Sequence, residues 1–323
     1  MSGLPRNTIL VGDAVEQLHR LPTHSIDCVI TSPPYYALRD YGVDGQLGLE
    51  VDVGRWVTNL LRLADAVARV LKPTGSLWLN LGDSYSRHVR YGAPPKGMLL
   101  GPERLLLALA ARGWICRNKV VWAKPNAMPS SVTDRLNTTS EVVYFLVRCR
   151  QYYFDLDAIR EPHRSRGRRR PGIQLKAAPP WVGPLAAGTH NGLRRARPAR
   201  QPGHPLGKNP GDVWTVATRG YRGAHFATFP EELVRRPLLA TCPPFVCTAC
   251  GHPSRSTARR ACACDAAQAP GIVLDPFFGT GTVGLVARKH ARDWIGIELN
   301  PAYVAMARER LHLDDRDIAR AAA

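Results

Sequence analysis

The chain lacks any long apolar run. Its longest uninterrupted one, Leu105–Ala111, falls far below the roughly 20 residues that span a bilayer, which argues against a helical membrane span. The opening residues, MSGLPRNTIL, contain no basic flank leading into an apolar segment, so no signal peptide is expected. Cysteine is sparse, eight in 323 residues, and five of the eight fall between Cys242 and Cys264. A disulfide scaffold spreads its cysteines through a short secreted chain, so this clustering points to metal instead. Acid is also short: 26 Asp and Glu against 44 Lys and Arg leave a formal net charge of +18. With 45% apolar and 22% charged residues, the composition is that of a globular chain and not of a disordered polycation. Such a charge balance attracts a polyanion, nucleic acid first. The length fits about two domains at roughly 150 residues each.

What is present alternates strands with helices. Residues 8–11 and 26–30 read as short buried strands. Trp56, Leu60, Ala64, Val67 and Leu71 recur at helical spacing, and Lys72-Pro73-Thr74-Gly75 is expected to stop that helix. Further strands are predicted at 76–81, 114–122, 142–147, 272–274 and 294–298. Helices are predicted at 103–112, at 282–290 and from the Asn300-Pro301 cap through Leu311. This order predicts an α/β fold with a mostly parallel, doubly wound sheet. The pattern stops between about 150 and 212. Residues 160–205 hold eleven Lys and Arg and one acid, Glu161, with abundant Pro and Gly and no apolar period. A disordered linker and a loop-rich DNA-contacting insertion both fit that composition. The concentration of arginine favours the insertion, because arginine grips phosphates and reads guanine edges.

The segment Ile272–Gly284 reads as strand, glycine turn and helix, with Gly279, Gly281 and Gly284 in a G-x-G-x-x-G pattern. Glu298 ends the next strand, nineteen residues after Gly279, where a carboxylate accepts both ribose hydroxyls. Together these predict a nucleoside site. Only 45 residues run from Gly279 to Ala323, too few for a whole nucleotide-binding sheet. The missing strands must come from the N-terminal part, so the fold is expected to be circularly permuted. Asp275-Pro276 opens the loop with an acid, which suits the cationic, amino-acid-bearing S-adenosylmethionine better than a phosphate.

The strand at 26–30 runs into Thr31-Ser32-Pro33-Pro34-Tyr35. Two prolines fix a rigid extended loop whose carbonyls are expected to be free to accept from a ligand amino group. Ser32 adds a hydroxyl acceptor, and Tyr35 adds a ring that can stack on a base. Asn80 and Asp83, at the end of strand 76–81, read as turn residues, with a part in accepting or relaying a proton of that amino group as the alternative.

TSPPY at 31–35 and DPFFGTGT at 275–282 together resemble the amino-group DNA methyltransferases. Their order, acceptor loop first and cofactor loop last, resembles the permuted beta class of that family. The likeness extends to Gly12-Asp13-Ala14, Leu71–Gly75, Trp122–Asn126, Glu141, Tyr153–Asp155, Asn209–Trp214 and His225–Leu233. The resemblance implies a Rossmann-like S-adenosylmethionine-dependent fold. Its catalytic part would be 1–155, its target-recognition insertion 156–212 and its cofactor-binding part 213–323. It implies catalytic roles for Ser32, Pro33, Pro34 and Tyr35. Asp275, Phe277, Gly279, Gly281 and Thr282 would surround the cofactor, with Glu298 on the ribose, Asp13 by the adenine amino group and Phe229 near the methionine end.

In that family Ser at the first motif position accompanies cytosine N4 and Asp accompanies adenine N6. Ser32 therefore favours cytosine, with adenine as the alternative; an RNA methyltransferase or a non-enzymatic zinc DNA-binding protein fits less well. An exocyclic amine is a poor nucleophile because its lone pair is delocalised into the ring. Acceptors on its N–H groups localise that pair for in-line attack on the sulfonium methyl, and positioning supplies much of the rate. The implied substrate is double-stranded DNA with one base flipped out. The implied setting is a prokaryotic cytoplasm or a phage, with no membrane. Monomer or dimer, and a cognate restriction endonuclease, stay open.

Cys247-x2-Cys250 is followed by Cys262-x-Cys264. The four thiolates predict a structural zinc in a small insertion at 242–266. His252 is an alternative ligand, and free surface thiols are the alternative reading. Cys28, Cys116 and Cys149 read as core.

Overall fold

The computed structural model describes residues 4–163, 204–218, 229–255 and 262–313. Most of the basic stretch at 160–205, including its arginines from Arg164 to Arg200, lies outside the described residues, as does 225–228. The chain divides into two compact units, one of residues 1–158 and 211–323 and one of residues 159–210.

The first unit carries an eight-stranded sheet. Its strands are β1 (Thr8–Val11), β2 (Ile26–Thr31), β3 (Leu71–Leu81), β4 (Ile115–Ala123), β5 (Ser140–Val147), β6 (Val213–Thr215), β10 (Ile272–Asp275) and β11 (Asp293–Glu298). The order is β1-β11-β10-β2-β3-β5-β4-β6. All pairs are parallel except those of β5, which runs antiparallel to both β3 and β4. Every residue of β2 and β10 is buried, as expected of parallel strands covered on both faces.

Helices cover the two faces. On one lie α1 (Ala14–Arg20), α2 (Val53–Val70) and α3 (Gly101–Ala111), whose Leu18, Trp56, Leu60 and Leu105 pack with Ile26, Leu77 and Tyr144. On the other lie α4 (Glu231–Thr241), α5 (Thr282–Lys289) and α6 (Pro301–Leu311), whose Leu238, Val283 and Ala307 pack with Trp78, Phe145 and Trp294. Side-chain caps start several of them: Asp13 accepts from Val15 and Glu16 N–H, Asp52 from Arg55 N–H, and Asn300 from Ala302 N–H. No helix among the described residues is long and apolar enough to cross a membrane. Between α4 and β10 a small antiparallel sheet forms, in the order β8 (Pro253–Ser254), β7 (Phe245–Cys247), β9 (Gln268–Ala269).

In the second unit, the described residues bring the two ends of the basic segment together. Glu161 and Lys208 exchange backbone hydrogen bonds of 3.0 and 2.8 Å, and their side chains form a 3.2 Å ion pair.

Three expectations need correction. The helix does stop ahead of Lys72–Gly75, α2 ending at Val70, but the next strand starts at Leu71 and not at 76: β3 runs through Lys72–Gly75, and Leu71, expected in the helix, pairs with Ile26 of β2. Cys28 is core, but Cys116 is exposed and Cys149 half-buried. Asn80 lies inside β3, 6% exposed and paired with Val143, and not in a turn. Asp83 does lie beyond the strand, where its carboxylate accepts from Leu100 and Gly101 N–H at the start of α3.

Candidate active site

Strands β2 and β10 are parallel neighbours, with Val273 opposite Cys28 and Leu274 opposite Val29. The loops leaving their C-terminal ends therefore emerge side by side, where ligands settle in open α/β sheets. A cavity of about 800 Å³ opens there. Ser32 and Pro34 line it from the loop after β2, and Phe277, Gly279 and Thr282 from the loop after β10. Asp13, Phe229 and Glu298 complete its walls, together with Tyr41, Asn300 and Tyr303.

The loop after β10 turns sharply. Gly279 has φ 52° and Gly281 φ 80°, a region that side chains enter only under strain. Gly284 serves packing: a Cβ there would sit 2.8 Å from the Phe278 ring, which stacks on Trp294 with centroids 5.1 Å apart. Glu298 braces the turn, its Oε2 accepting from Gly279 N–H at 2.7 Å and its Oε1 from Asn300 N–H at 2.8 Å. Burial raises the Glu298 carboxyl above its ordinary range against these bonds. Arg310 holds the next turn, donating to the Thr280 and Thr282 hydroxyls at 3.1 and 3.0 Å.

Asp275 is 1% exposed and lies beneath the loop, outside the cavity wall. Its Oδ1 accepts from the Thr31 hydroxyl at 2.7 Å and from Phe277 N–H at 3.0 Å. Burial pushes its carboxyl up to about 7. This carboxylate joins the two loops directly, since Thr31 ends β2. Gly281 also stands back from the cavity, as N-cap of α5 against Leu311 and Phe278.

In the loop after β2 the Pro34 carbonyl is not free: it accepts from the Trp56 indole N–H at 3.0 Å. Pro33 and Tyr35 lie outside the cavity wall. The Tyr35 ring packs against Gly82, where a Cβ would come within 2.7 Å of it. Its hydroxyl donates to Glu141 Oε2 at 2.6 Å and lies 3.3 Å from Ser32 Oγ. Asn80 donates to the same Glu141 oxygen at 3.1 Å, and Lys124 forms an ion pair with the other. Burial first, then the Glu141 charge, drives the Tyr35 hydroxyl well above its ordinary range.

The structure thus brings Asp13, Ser32, Pro34, Phe229, Phe277, Gly279, Thr282 and Glu298 into one cavity. Pro33, Tyr35, Asp275 and Gly281 support its loops from behind. Asp13 serves as both helix cap and cavity wall. Residue patterns missed Tyr41, Asn300 and Tyr303. Tyr41 meets Tyr303 edge-on at 6.3 Å, and the Asn300 amide donates to the Tyr41 carbonyl at 3.4 Å. Only the Asn300-Pro301 cap gave a local signal. Cys247, Cys250, Cys262 and Cys264 also converge, away from this cavity, with all four sulfurs within 4.8 Å of one another.

A sequence profile for a family described as DNA methylase matches residues 26–309. The chain is 36% identical to the type II methyltransferase M.Cfr9I of Citrobacter freundii, over 98% of this chain and 91% of that one. It is 34% identical to the type II methyltransferase M.SmaI of Serratia marcescens, over 96% and 92%. Among solved structures, the PvuII DNA methyltransferase (cytosine-N4-specific) aligns with a TM-score of 0.62 at 20% identity, covering 100% of this chain and 95% of that one. A candidate DNA modification methylase from Thermus thermophilus, complexed with S-adenosyl-L-methionine, aligns at 0.54 and 22% identity, covering 96% and 93%. At these identities the structural likenesses speak for the fold.

Proposed function

The chain belongs to the DNA methylase family of amino-group methyltransferases, and from that premise we propose that it methylates the exocyclic N4 of cytosine in duplex DNA, with S-adenosylmethionine as donor. The observation that carries this reading is the meeting of Ser32 and Gly279 in one cavity, on loops from adjacent parallel strands. The cavity's volume of about 800 Å³ suits a nucleoside bearing an amino acid. Its donor set suits one too. Glu298, fixed by two backbone N–H bonds, keeps lone pairs for ribose hydroxyls, and Asp13 faces the same space for an adenine amine. Phe229 and Phe277 offer apolar surface. When bound, S-adenosylmethionine supplies the sulfonium methyl.

The protein's own part is to bind, orient and accept. Ser32 Oγ, on the cavity wall, accepts an amine N–H bond, while the Pro34 carbonyl already holds Trp56. Pro33 and Pro34 keep the acceptor loop extended. Tyr35 anchors that loop through Glu141 and holds its hydroxyl beside Ser32. Asp275 and Gly281 shape the cofactor loop from behind. We assign the cofactor and acceptor halves to 213–323 and 1–155, and target recognition to 156–212. The adjacency of β1 and β2 with β10 and β11 supports a circularly permuted sheet. The type II relatives support a restriction–modification role. Ser32, as the first motif residue, favours cytosine. Nucleoside digestion and mass spectrometry of DNA from cells expressing the protein should yield N4-methylcytosine. N6-methyladenine would overturn the base assignment, and unmodified DNA the activity.

A further inference from the structure

Methyl transfer leaves one side-chain cluster without a role, the four convergent cysteines. We propose that Cys247, Cys250, Cys262 and Cys264 hold one structural zinc ion, and that this ion stiffens the loop whose Arg255 secures the root of the basic segment. The four sulfurs all lie within 4.8 Å of one another. Sulfurs each about 2.3 Å from one tetrahedral ion stand about 3.8 Å apart, so closure around zinc needs shifts of about an ångström. Four thiolates complete the coordination, which makes the site structural and leaves His252 out of it.

The backbone carries the geometry. Strand β7 ends at Cys247, and the chain turns at Gly251, φ 68°, whose N–H bonds the Cys247 carbonyl at 2.9 Å. That turn folds Cys250 back beside Cys247. On the other side Cys247 is registered against Gln268 of β9, which brings in the segment carrying Cys262 and Cys264. Strands of three, two and two residues bury little beyond Val246, Cys247 and Ser254. A sheet that small needs a staple to hold its shape.

The insertion leaves and rejoins the core at one point, where Gly271 N–H bonds the Pro243 carbonyl at 3.2 Å. A charged reach back to the core is made by Arg255, immediately after β8. That guanidinium donates to the Phe154 carbonyl at 2.8 Å and lies 3.6 Å from the Asp155 carboxylate. Asp155 N–H in turn bonds the Ala240 carbonyl at 2.7 Å. Residues 154 and 155 stand just before the chain enters the 159–210 unit. The ion thus acts at a distance, by fixing the loop that fixes this exit. Neither statement depends on the methyl-transfer reading.

The test uses the full chain purified without chelator. Metal analysis should find one zinc per chain, and cobalt substitution should give the absorption bands of a tetrahedral thiolate site. Cys250→Ser and Cys264→Ser should each lose the ion. Hydrogen–deuterium exchange at residues 152–158 should speed up when zinc is stripped. It should also speed up in Arg255→Ala, which keeps its zinc. A zinc-free wild-type chain with titratable thiols, or with these cysteines paired as disulfides by mass, would overturn the metal site. Unchanged exchange in Arg255→Ala would overturn the anchoring role.

Discussion

Glu141 gathers the Tyr35 hydroxyl, the Asn80 amide and the Lys124 ammonium onto one carboxylate, and so anchors the acceptor loop at Tyr35. Ser32→Ala removes an acceptor of the reacting amine and should lower kcat on the order of a hundredfold. Glu141→Gln leaves Ser32 in place but loosens its neighbour Tyr35, and should lower kcat about tenfold. Single-turnover methyl transfer reads both effects, and calorimetry should find cofactor affinity unchanged in both. Asp275 adds a pH signature. Its carboxyl sits near 7 in the fold against an ordinary 3.8, so between those values the native state holds the extra proton. Stability from this group is therefore full below about 4 and declines as pH rises through about 7. Asp275→Asn keeps an acceptor for Thr31 and Phe277 without the charge. Thermal denaturation from pH 5 to 8 should show a flatter profile in this variant; an identical slope would mean the carboxylate ionises at its ordinary value.

Asp27 does at the level of elements what Asp275 does for loops. From β2 it pairs with Lys72 of β3 at 2.7 Å and accepts from Ile272 N–H of β10 at 2.9 Å, tying three strands at the end opposite the cavity. Burial outweighs the lysine and keeps its carboxyl above the ordinary range. Lys72→Met leaves that group buried without its cation and should cost about 3 kcal/mol in urea unfolding. Adding Asp27→Asn should recover part of the loss, and no recovery would rule out the ion pair as its source. The same seam explains what the sequence concealed. Lys72-Pro73-Thr74-Gly75 reads locally as a stop, yet Leu71 pairing with Ile26 extends β3 through it, and Gly75 fits because Leu71 and the Asp27 backbone crowd its Cβ position. The apolar run Val142–Val147, buried from Val143 on, announced a strand without announcing its direction, since a run buried on both faces carries no alternation to orient it. Strands of two or three residues, β6 to β9, are too short for any period. The helices were legible because capping and 3.6-residue spacing are local properties.

At the scale of the whole molecule, the loops that meet in the cavity were legible as motifs, because each is a strand end followed by residues with fixed backbone habits. Tyr41 and Tyr303 were not, because their 6.3 Å contact joins segments far apart in sequence that meet only through strand pairing, β2 with β10 and β10 with β11. Charge needs no fold to be read. Residues 160–205 carry eleven cations against one acid in a chain of net charge +18, so a large share of the attraction to DNA should come from this stretch. Each neutralised phosphate releases counterions, so log affinity falls with log salt by about 0.9 per phosphate. Replacing Arg168, Arg169 and Arg170 with alanine should weaken binding to all duplex sequences alike. It should also make that slope shallower by about one unit for each phosphate left without its arginine. An arginine that reads a base edge behaves otherwise. Substituting Arg194, Arg195 or Arg197 should, at any such position, relax the methylated motif there and cost about 1–3 kcal/mol of discrimination. Cofactor binding should persist in every variant, because neither cavity loop includes these residues. Fluorescence anisotropy across a salt series, paired with single-molecule sequencing of the methylated DNA, separates the two behaviours. If a chain lacking the whole stretch methylates the same motif with the same salt dependence, recognition belongs elsewhere, and the cysteine insertion with Arg255, Arg259 and Arg260 becomes the next place to look.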